Sequence, residues 1–293
     1  MEKALKYRAY VALALLVFIT LGIWAAVLQE SKSGVLTVAV LTVGQGDSIY
    51  IQSPTGTEVV IDGGPDNSIL RELPKVMRPF DRSLDAVIAT HPDADHIAGF
   101  IDLLNRYSVK NFVEPGIAKD TVTAARLEEE ITKNNIPRYK AVRGMTLDLG
   151  GGVQLRILSP DFEVSTLPES KANEGGIVAQ LVYASTTMLL MADVSSKVED
   201  HLVEIDGESA GFRIDSDILK VGHHGSRTST DDELLDAVTP SVAIISVGAK
   251  NRYGHPTQDV LDRLSAHNVE VHRTDEEGTI KFISNGKQFT RVK

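Results

Sequence analysis

The chain has no cysteine. Disulfides are excluded, and so is any metal centre built on thiolates, so a bound metal has to be held by nitrogen and oxygen. The absence does not choose a side of a membrane. Positive charge is also scarce: 30 Lys and Arg stand against 40 Asp and Glu, a formal net charge of −10. A surface of that sign repels nucleic acid in general, so a nucleic-acid substrate needs a local basic path or metal ions at the site. No short-period repeat and no low-complexity tract is present. What remains is 293 residues at 42% apolar content, enough to bury a full core.

Charge is missing altogether from Ala9 to Leu28, just after Lys3, Lys6 and Arg8. That run is about the 20 residues a helix needs to cross a bilayer. Tyr7 and Tyr10 stand at one end and Trp24 near the other, where interfacial aromatics belong. The reading is a short basic cytoplasmic segment (1–8), a transmembrane helix (9–28), a polar linker (29–34) and a globular domain (35–293). Positive charge ahead of the span places the N-terminus inside and the domain outside the cytoplasmic membrane, as a single-pass protein. A cleaved signal peptide is the alternative. The run is long for that, and Trp24 to Leu28 offers no clear small-x-small cleavage site.

Beyond the linker, apolar runs at strand spacing come early and close together: Val35–Val43, Ser48–Gln52 and Glu58–Ile61, separated by Gly, Pro and Asp turns. Helices and strands then alternate, with helices expected over 67–76, 96–106 and 121–134 and strands over 84–89 and 109–113. A second strand-rich block (153–158, 177–183, 187–191) is followed by helix 195–205, strand 217–221, helix 230–237, strand 241–246, helix 257–266, strand 269–272 and a hairpin near 279–291. Two such blocks imply two sheets in one domain with helices outside. The polar loop Ser159 to Gly176 is a candidate flexible flap.

Within this frame the densest chemistry is Thr90-His91-Pro92-Asp93-Ala94-Asp95-His96. Two histidines and two carboxylates fall within six positions at a strand-to-helix turn, a ligand set that suits Zn²⁺, Mn²⁺ or Fe. A polar loop with helix-capping acids would explain one such turn in isolation. Four more apolar strands end the same way, in Asp62-Gly63-Gly64, in Asp193, in His223-His224 and in the segment leading to His255. Adjacent side chains on extended backbone point opposite ways, so one of His223 and His224 is the expected ligand. His201, His267 and His272 lack such a context and read as surface or packing residues.

Together these segments resemble the metallo-β-lactamase superfamily, and within it the C-terminal hydrolase domain of ComEC-type DNA-uptake (competence) proteins. The resemblance covers residues 35 to 293. It rests on Val43-Gly44-Gln45-Gly46-Asp47-Ser48, Ile61-Asp62-Gly63-Gly64 and the His91–His96 turn. Leu219 to Ser226, Tyr253-Gly254-His255-Pro256, Arg273-Thr274-Asp275 and Gly278-Thr279-Ile280 complete it. It implies a four-layer αββα sandwich of mixed α/β class behind the transmembrane helix. It also departs from the general motif. Asp93 stands where a second histidine is usual, no histidine precedes Asp193, and Ala192 replaces the customary glycine. Asn173 matches an asparagine of ComEC-type chains.

The resemblance implies one firm metal position from Asp95, His96, Asp193 and one of His223/His224. A second, harder position would be left with His91, Asp93 and the shared Asp193, better suited to Mn²⁺ or Mg²⁺ than to Zn²⁺. Asp62 and Asn173 would support these ligands. Asp93 or Asp95 would orient a metal-activated water, and His255 and Ser226 would contact the phosphate or leaving group. The implied function is a membrane-anchored phosphodiesterase or nuclease. DNA or another phosphodiester would be the substrate, and a separate DNA-uptake channel a partner. Lys220, Arg227, Lys250 and Arg252 are the expected basic strip. A non-catalytic metal- or nucleic-acid-binding module and a hydrolase of another small ester stand as alternatives.

Overall fold

The computed structural model describes residues 2–30, 34–207 and 213–292. A helix runs from Glu2 to Glu30, and its Lys6–Trp24 stretch is apolar and long enough to cross a membrane. Gln29 and Glu30, expected in the linker, are its last residues; 31–33 lie outside the described residues.

Two β-sheets stack face to face. The first has eight strands in the order Phe289–Val292, Ile280–Ser284, Leu36–Val40, Ile49–Gln52, Glu58–Ile61, Ala86–Ile88, Phe112–Glu114, Arg138–Lys140. The second has seven, in the order Glu270–Arg273, Val242–Ile245, Ile218–Lys220, Thr186–Leu190, Val178–Tyr183, Val153–Ser159, Thr146–Gly150. Period-two alternation divides each central strand between two cores. Val59 and Ile61 enter the inter-sheet core with Leu155, Leu181 and Ile218, while Val60 faces outward. That outward face packs on helices Ile69–Val76, Ala94–Leu104 and Val122–Lys133 through Leu73, Phe100 and Leu127. Leu219 and Ile245 of the second sheet pack on helices Ser196–Glu204, Asp232–Val238 and Gln258–Ala266. The result is the expected four layers, αββα.

Each sheet is part antiparallel, part parallel. Glu58–Ile61 runs parallel to Ala86–Ile88, and Ile218–Lys220 runs parallel to both Thr186–Leu190 and Val242–Ile245. Parallel strands end on the same edge, so the loops after Ile61, Ile88, Leu190, Lys220 and Ile245 emerge side by side. Side chains far apart in sequence meet there.

Three features differ from the expectations. Arg138–Lys140 forms an edge strand although all three of its residues are exposed, because its pairing with Phe112–Glu114 rather than burial holds it. Thr146–Gly150 forms the second sheet's edge by pairing with Val153–Ser159, with Leu149 buried in the inter-sheet core. The loop from Ser159 to Gly176 contains a 3₁₀ segment, Glu169–Gly175, and is tied down by Val164 and Ala172 packing on Ile117.

Candidate metal centre

The turn after Ala86–Ile88 carries Asp95 and His96 into the first turn of helix Ala94–Leu104. Two backbone contacts seat that helix on the Asp62 turn: Gly63 N–H donates to the His96 carbonyl at 2.6 Å, and Gly99 N–H donates to the Gly64 carbonyl at 3.0 Å. A Cβ at Gly99 would collide with the Gly63 carbonyl oxygen, so glycine is what allows this approach. Across the gap, His223 N–H donates to the Ala192 carbonyl at 2.9 Å, joining the Asp193 loop to the histidine pair. Asp62, Ala192, His223 and His224 all have left-handed φ (59°, 49°, 48° and 55°). Non-glycine residues occupy that region at a cost, commonly where a functional site needs it.

Asp95, His96, Asp193 and His224 each offer one donor atom, and these atoms lie within 4.8 Å of one another. Asp193 Oδ2 is 3.3 Å from His96 Nε2 and 3.4 Å from His224 Nε2. Asp95 Oδ2 is 3.7 Å from His224 Nε2. The other side of each ring is already engaged. His96 Nδ1 is 2.7 Å from Asp62 Oδ2, and His224 Nδ1 is 3.0 Å from the Ser246 carbonyl and 3.4 Å from Asp47 Oδ1. These contacts select the tautomer that leaves Nε2 free, as metal-bound histidines require.

The residues fit a divalent ion. His96 Nε2, His224 Nε2 and Asp193 Oδ1 are buried and have no hydrogen-bond partner. One such atom is a costly exception in a folded protein; the two Nε2 atoms both face Asp193 Oδ2, and a cation held among these residues would satisfy them. The electrostatics agree. Burial disfavours charge on His96, but Asp193 and Asp62 outweigh it and hold the ring well above the ordinary histidine range. His224 behaves alike through Asp193 and Asp47. Burial raises Asp193, yet His224 and His96 bring it well below the ordinary carboxylate range. The pocket concentrates negative potential where an ion would displace those protons.

Behind the ligands lies a set of buried contacts. Asp62 accepts hydrogen bonds from Thr90 N–H at 2.8 Å and from Thr90 Oγ1 at 2.7 Å. Lys220 Nζ is 2.6 Å from Asp47 Oδ2 and donates to the Val221 carbonyl at 2.8 Å. Ser246 Oγ donates to the Gly46 carbonyl at 2.8 Å, linking the two sheets' loops.

The remaining sequence candidates surround this cluster at graded distance. The His91 ring lies 4.1 Å from the His96 ring, and its buried Nε2 also lacks a partner. Burial, then the proximity of His96, pushes His91 below the ordinary histidine range, so it is neutral. Of the histidine pair, His224 joins the four-atom cluster, whereas His223 Nε2 lies 3.8 Å from Asp193 Oδ2 and is part exposed. His255 stands outside His223, with ring centroids 5.9 Å apart. Asp93 is ion-paired to Lys119 at 2.6 Å and does not join the cluster. Ser226 is buried with its Oγ 3.1 Å from Thr228 Oγ1. Asn173 sits in the 3₁₀ segment that leads to Ile177, whose N–H donates to the Thr90 carbonyl at 3.0 Å.

Lys220 corrects the expected basic strip. It is fully buried, because it shares parity with Ile218 and points between the sheets rather than to solvent. Sequence reasoning gave no role to Asp47, Thr90, Lys119 or Ser246. Asp47 and Thr90 lie within quoted motifs, Ser246 was detectable only as a polar residue at a strand end, and Lys119 lies in a loop outside any motif. One Gly-x-Ser-x-Gly string does occur, residues 207–211, and 208–211 lie outside the described residues.

A metallo-β-lactamase superfamily model matches residues 41–249. The chain belongs to the metallo-β-lactamase superfamily. ComE operon protein 3 of Bacillus subtilis (strain 168) is 32% identical over 262 residues, which cover 84% of this chain and 32% of that one. Competence protein ComA of Neisseria gonorrhoeae is 28% identical over 245 residues, again 84% of this chain and 32% of the relative. The chain therefore spans about a third of the length of these curated relatives. Among solved structures, Igni18, a metallo hydrolase from Ignicoccus hospitalis, superposes with a TM-score of 0.53 at 14% identity, covering 84% of this chain and 98% of its own. That likeness shows the fold.

Proposed function

We propose that this protein is a membrane-anchored, metal-dependent phosphodiesterase that cleaves DNA outside the cytoplasmic membrane. One observation carries the reading: four donor atoms from Asp95, His96, Asp193 and His224 lie within 4.8 Å, three of these residues contributing orphaned buried atoms. Zn²⁺ or Mn²⁺ is the ion these nitrogen and oxygen ligands suit. When bound, it would supply a lowered water pKa and positive charge at a phosphoryl oxygen. The chain's own groups do the rest. Asp95, half-buried, orients the attacking water. Neutral His91 and part-exposed His223 line the approach.

The substrate assignment draws on the surface beside the site. Tyr253, mostly exposed, stacks on His255 with centroids 5.7 Å apart, and the Arg252 guanidinium lies 5.3 Å from the Tyr253 ring centroid. Rings that step outward from His223 through His255 to Tyr253, with Arg252 on Tyr253, form a stacking and phosphate-binding edge for a single strand. The helix at 2–30 anchors the domain, and Lys3, Lys6 and Arg8 keep its N-terminus inside. In this reading the domain works beside a separate DNA-uptake channel, in line with the names of its relatives.

The full chain in detergent, stripped of metal and reloaded across a metal panel, is assayed on single-stranded DNA and bis-(p-nitrophenyl) phosphate. Hydrolysis that needs Mn²⁺ or Zn²⁺ and is lost in His96→Ala is expected. Metal binding with neither substrate cleaved would favour a non-catalytic binding module of the same fold.

A further inference from the structure

We propose that Lys119 takes the place of a second metal ion, so that the site works with one divalent cation and one ammonium. The inference rests on the phosphodiesterase reading and concerns the half of the site built from His91 and Asp93. In that half the chain has a carboxylate, Asp93, that does not turn toward the four-atom cluster. Its Oδ1 lies 2.6 Å from Lys119 Nζ. Lys119 arrives from a different segment, the loop between strand Phe112–Glu114 and helix Val122–Lys133. Its side chain is only 19% exposed. Ordering a long, flexible, strongly hydrated side chain there is costly, and the ion pair with Asp93 offsets that cost.

The surroundings give the ammonium a target. Lys119 and His91 line one cavity of about 430 Å³, whose floor is apolar through Ile97, Phe112 and Leu127. The cavity's other strong cation, Arg138, is committed to Glu114 and Glu128. Lys119 has one carboxylate partner where Arg138 has two, and it shares the cavity with His91. An ammonium donates up to three hydrogen bonds and Asp93 uses one direction, leaving donors for a phosphoryl oxygen at the metal. A lysine and a second divalent ion would compete for Asp93. Lys119, tethered to the chain, holds it without needing dissolved metal.

The test counts ions and turnover separately. The full chain in detergent is stripped with chelator and titrated with Mn²⁺, bound ion being counted by equilibrium dialysis. The same samples hydrolyse bis-(p-nitrophenyl) phosphate. Wild type is expected to saturate at one ion per chain. Lys119→Met is expected to bind the first ion as before, to accept a second through the freed Asp93, and to lose about 100-fold in kcat at one ion, the effect of removing one preorganised donor. Lys119→Arg should keep one ion and most of the turnover. Wild type saturating at two ions, or Lys119→Met turning over normally with one, overturns the inference alone. Wild type binding no ion overturns the hydrolase reading itself. If Lys119→Met fails to fold by circular dichroism, Asp93→Asn is read instead. There a similar loss of kcat with a single ion supports the inference, and an unchanged kcat overturns it.

Discussion

Lys220 Nζ lies 2.6 Å from Asp47 Oδ2, and both residues are sealed from solvent between the two sheets. Lys220 also donates to the Val221 carbonyl, and Asp47 reaches on to His224 Nδ1 at 3.4 Å. The pair thus ties the strand that delivers His224 to the loop that orients it. Burial raises the Asp47 pKa, but Lys220 and then His224 bring it far below the ordinary range, so the carboxylate stays charged.

Breaking this pair strands a buried charge. Lys220→Met should destabilise the protein by about 3–5 kcal/mol. The double variant Lys220→Met/Asp47→Leu should recover a large share of that, since it strands nothing. Urea unfolding of the three proteins checks it, and equal losses in the single and double variants would contradict it.

The two adjacent histidines should part company in metal binding. His224→Ala removes a buried donor that faces both Asp193 and Asp95. It should abolish measurable Mn²⁺ binding by calorimetry. His223→Ala, at a longer 3.8 Å from Asp193, should leave the ion bound and lower turnover. Equal losses of affinity would refute the distinction.

Thr90 acts through Asp62. Thr90→Val keeps the volume but removes the hydroxyl that donates to Asp62 Oδ2 at 2.7 Å, loosening the carboxylate that orients His96. Metal affinity should fall about 10- to 100-fold, the usual effect of losing a group behind a histidine ligand. The backbone N–H of Thr90 remains, so the fold should be unaffected by circular dichroism.

Gly99→Ala tests the seating of the helix that carries Asp95 and His96. The new methyl would strike the Gly63 carbonyl, which is backbone and cannot swing aside. The expected cost is about 1–3 kcal/mol from overpacking, with loss of metal affinity because Asp95 and His96 ride on the same helix. Thermal unfolding with and without Mn²⁺ separates the two effects.

Glu199 sets a pH dependence away from the metal. It is fully buried, and both its oxygens accept the Thr230 N–H, at 2.9 and 2.7 Å. Burial dominates and pushes its pKa up to about 8 from 4.5. A raised acid favours the folded state below the unfolded pKa, and that contribution fades as pH rises toward the folded value. Stability should fall between about pH 5 and pH 8 by on the order of 4 kcal/mol if this group acts alone. Glu199→Gln should flatten that slope. A wild-type profile that rises with pH across this window would show the assignment to be wrong.

Much of this was legible beforehand for physical reasons. Continuous apolar runs such as Val59-Val60-Ile61 mark strands buried on both sides, and a helix such as Val122–Lys133 shows its stripe through Leu127 and Ile131. The edge strand Arg138–Lys140 was not legible, because pairing rather than apolar content makes it a strand. Lys220 was misread for a related reason: charge in a short strand says nothing about which sheet face it occupies until the partner, Asp47, is in place. Lys119 lay outside any motif, since its meaning comes from a contact with Asp93, 26 residues earlier.

By itself the chain determined its ingredients: an uncharged N-terminal run, two strand-rich blocks, and imidazoles and carboxylates at strand ends in place of any thiolate. These follow from local chemistry and periodicity, which neighbours in sequence express directly. Tertiary structure alone decided that His224 rather than His223 completes the cluster, that Lys220 is buried, and that Asp93 faces an ammonium. Each of those outcomes depends on which strands run parallel and end on a common edge, and so on contacts between segments that the linear order keeps apart.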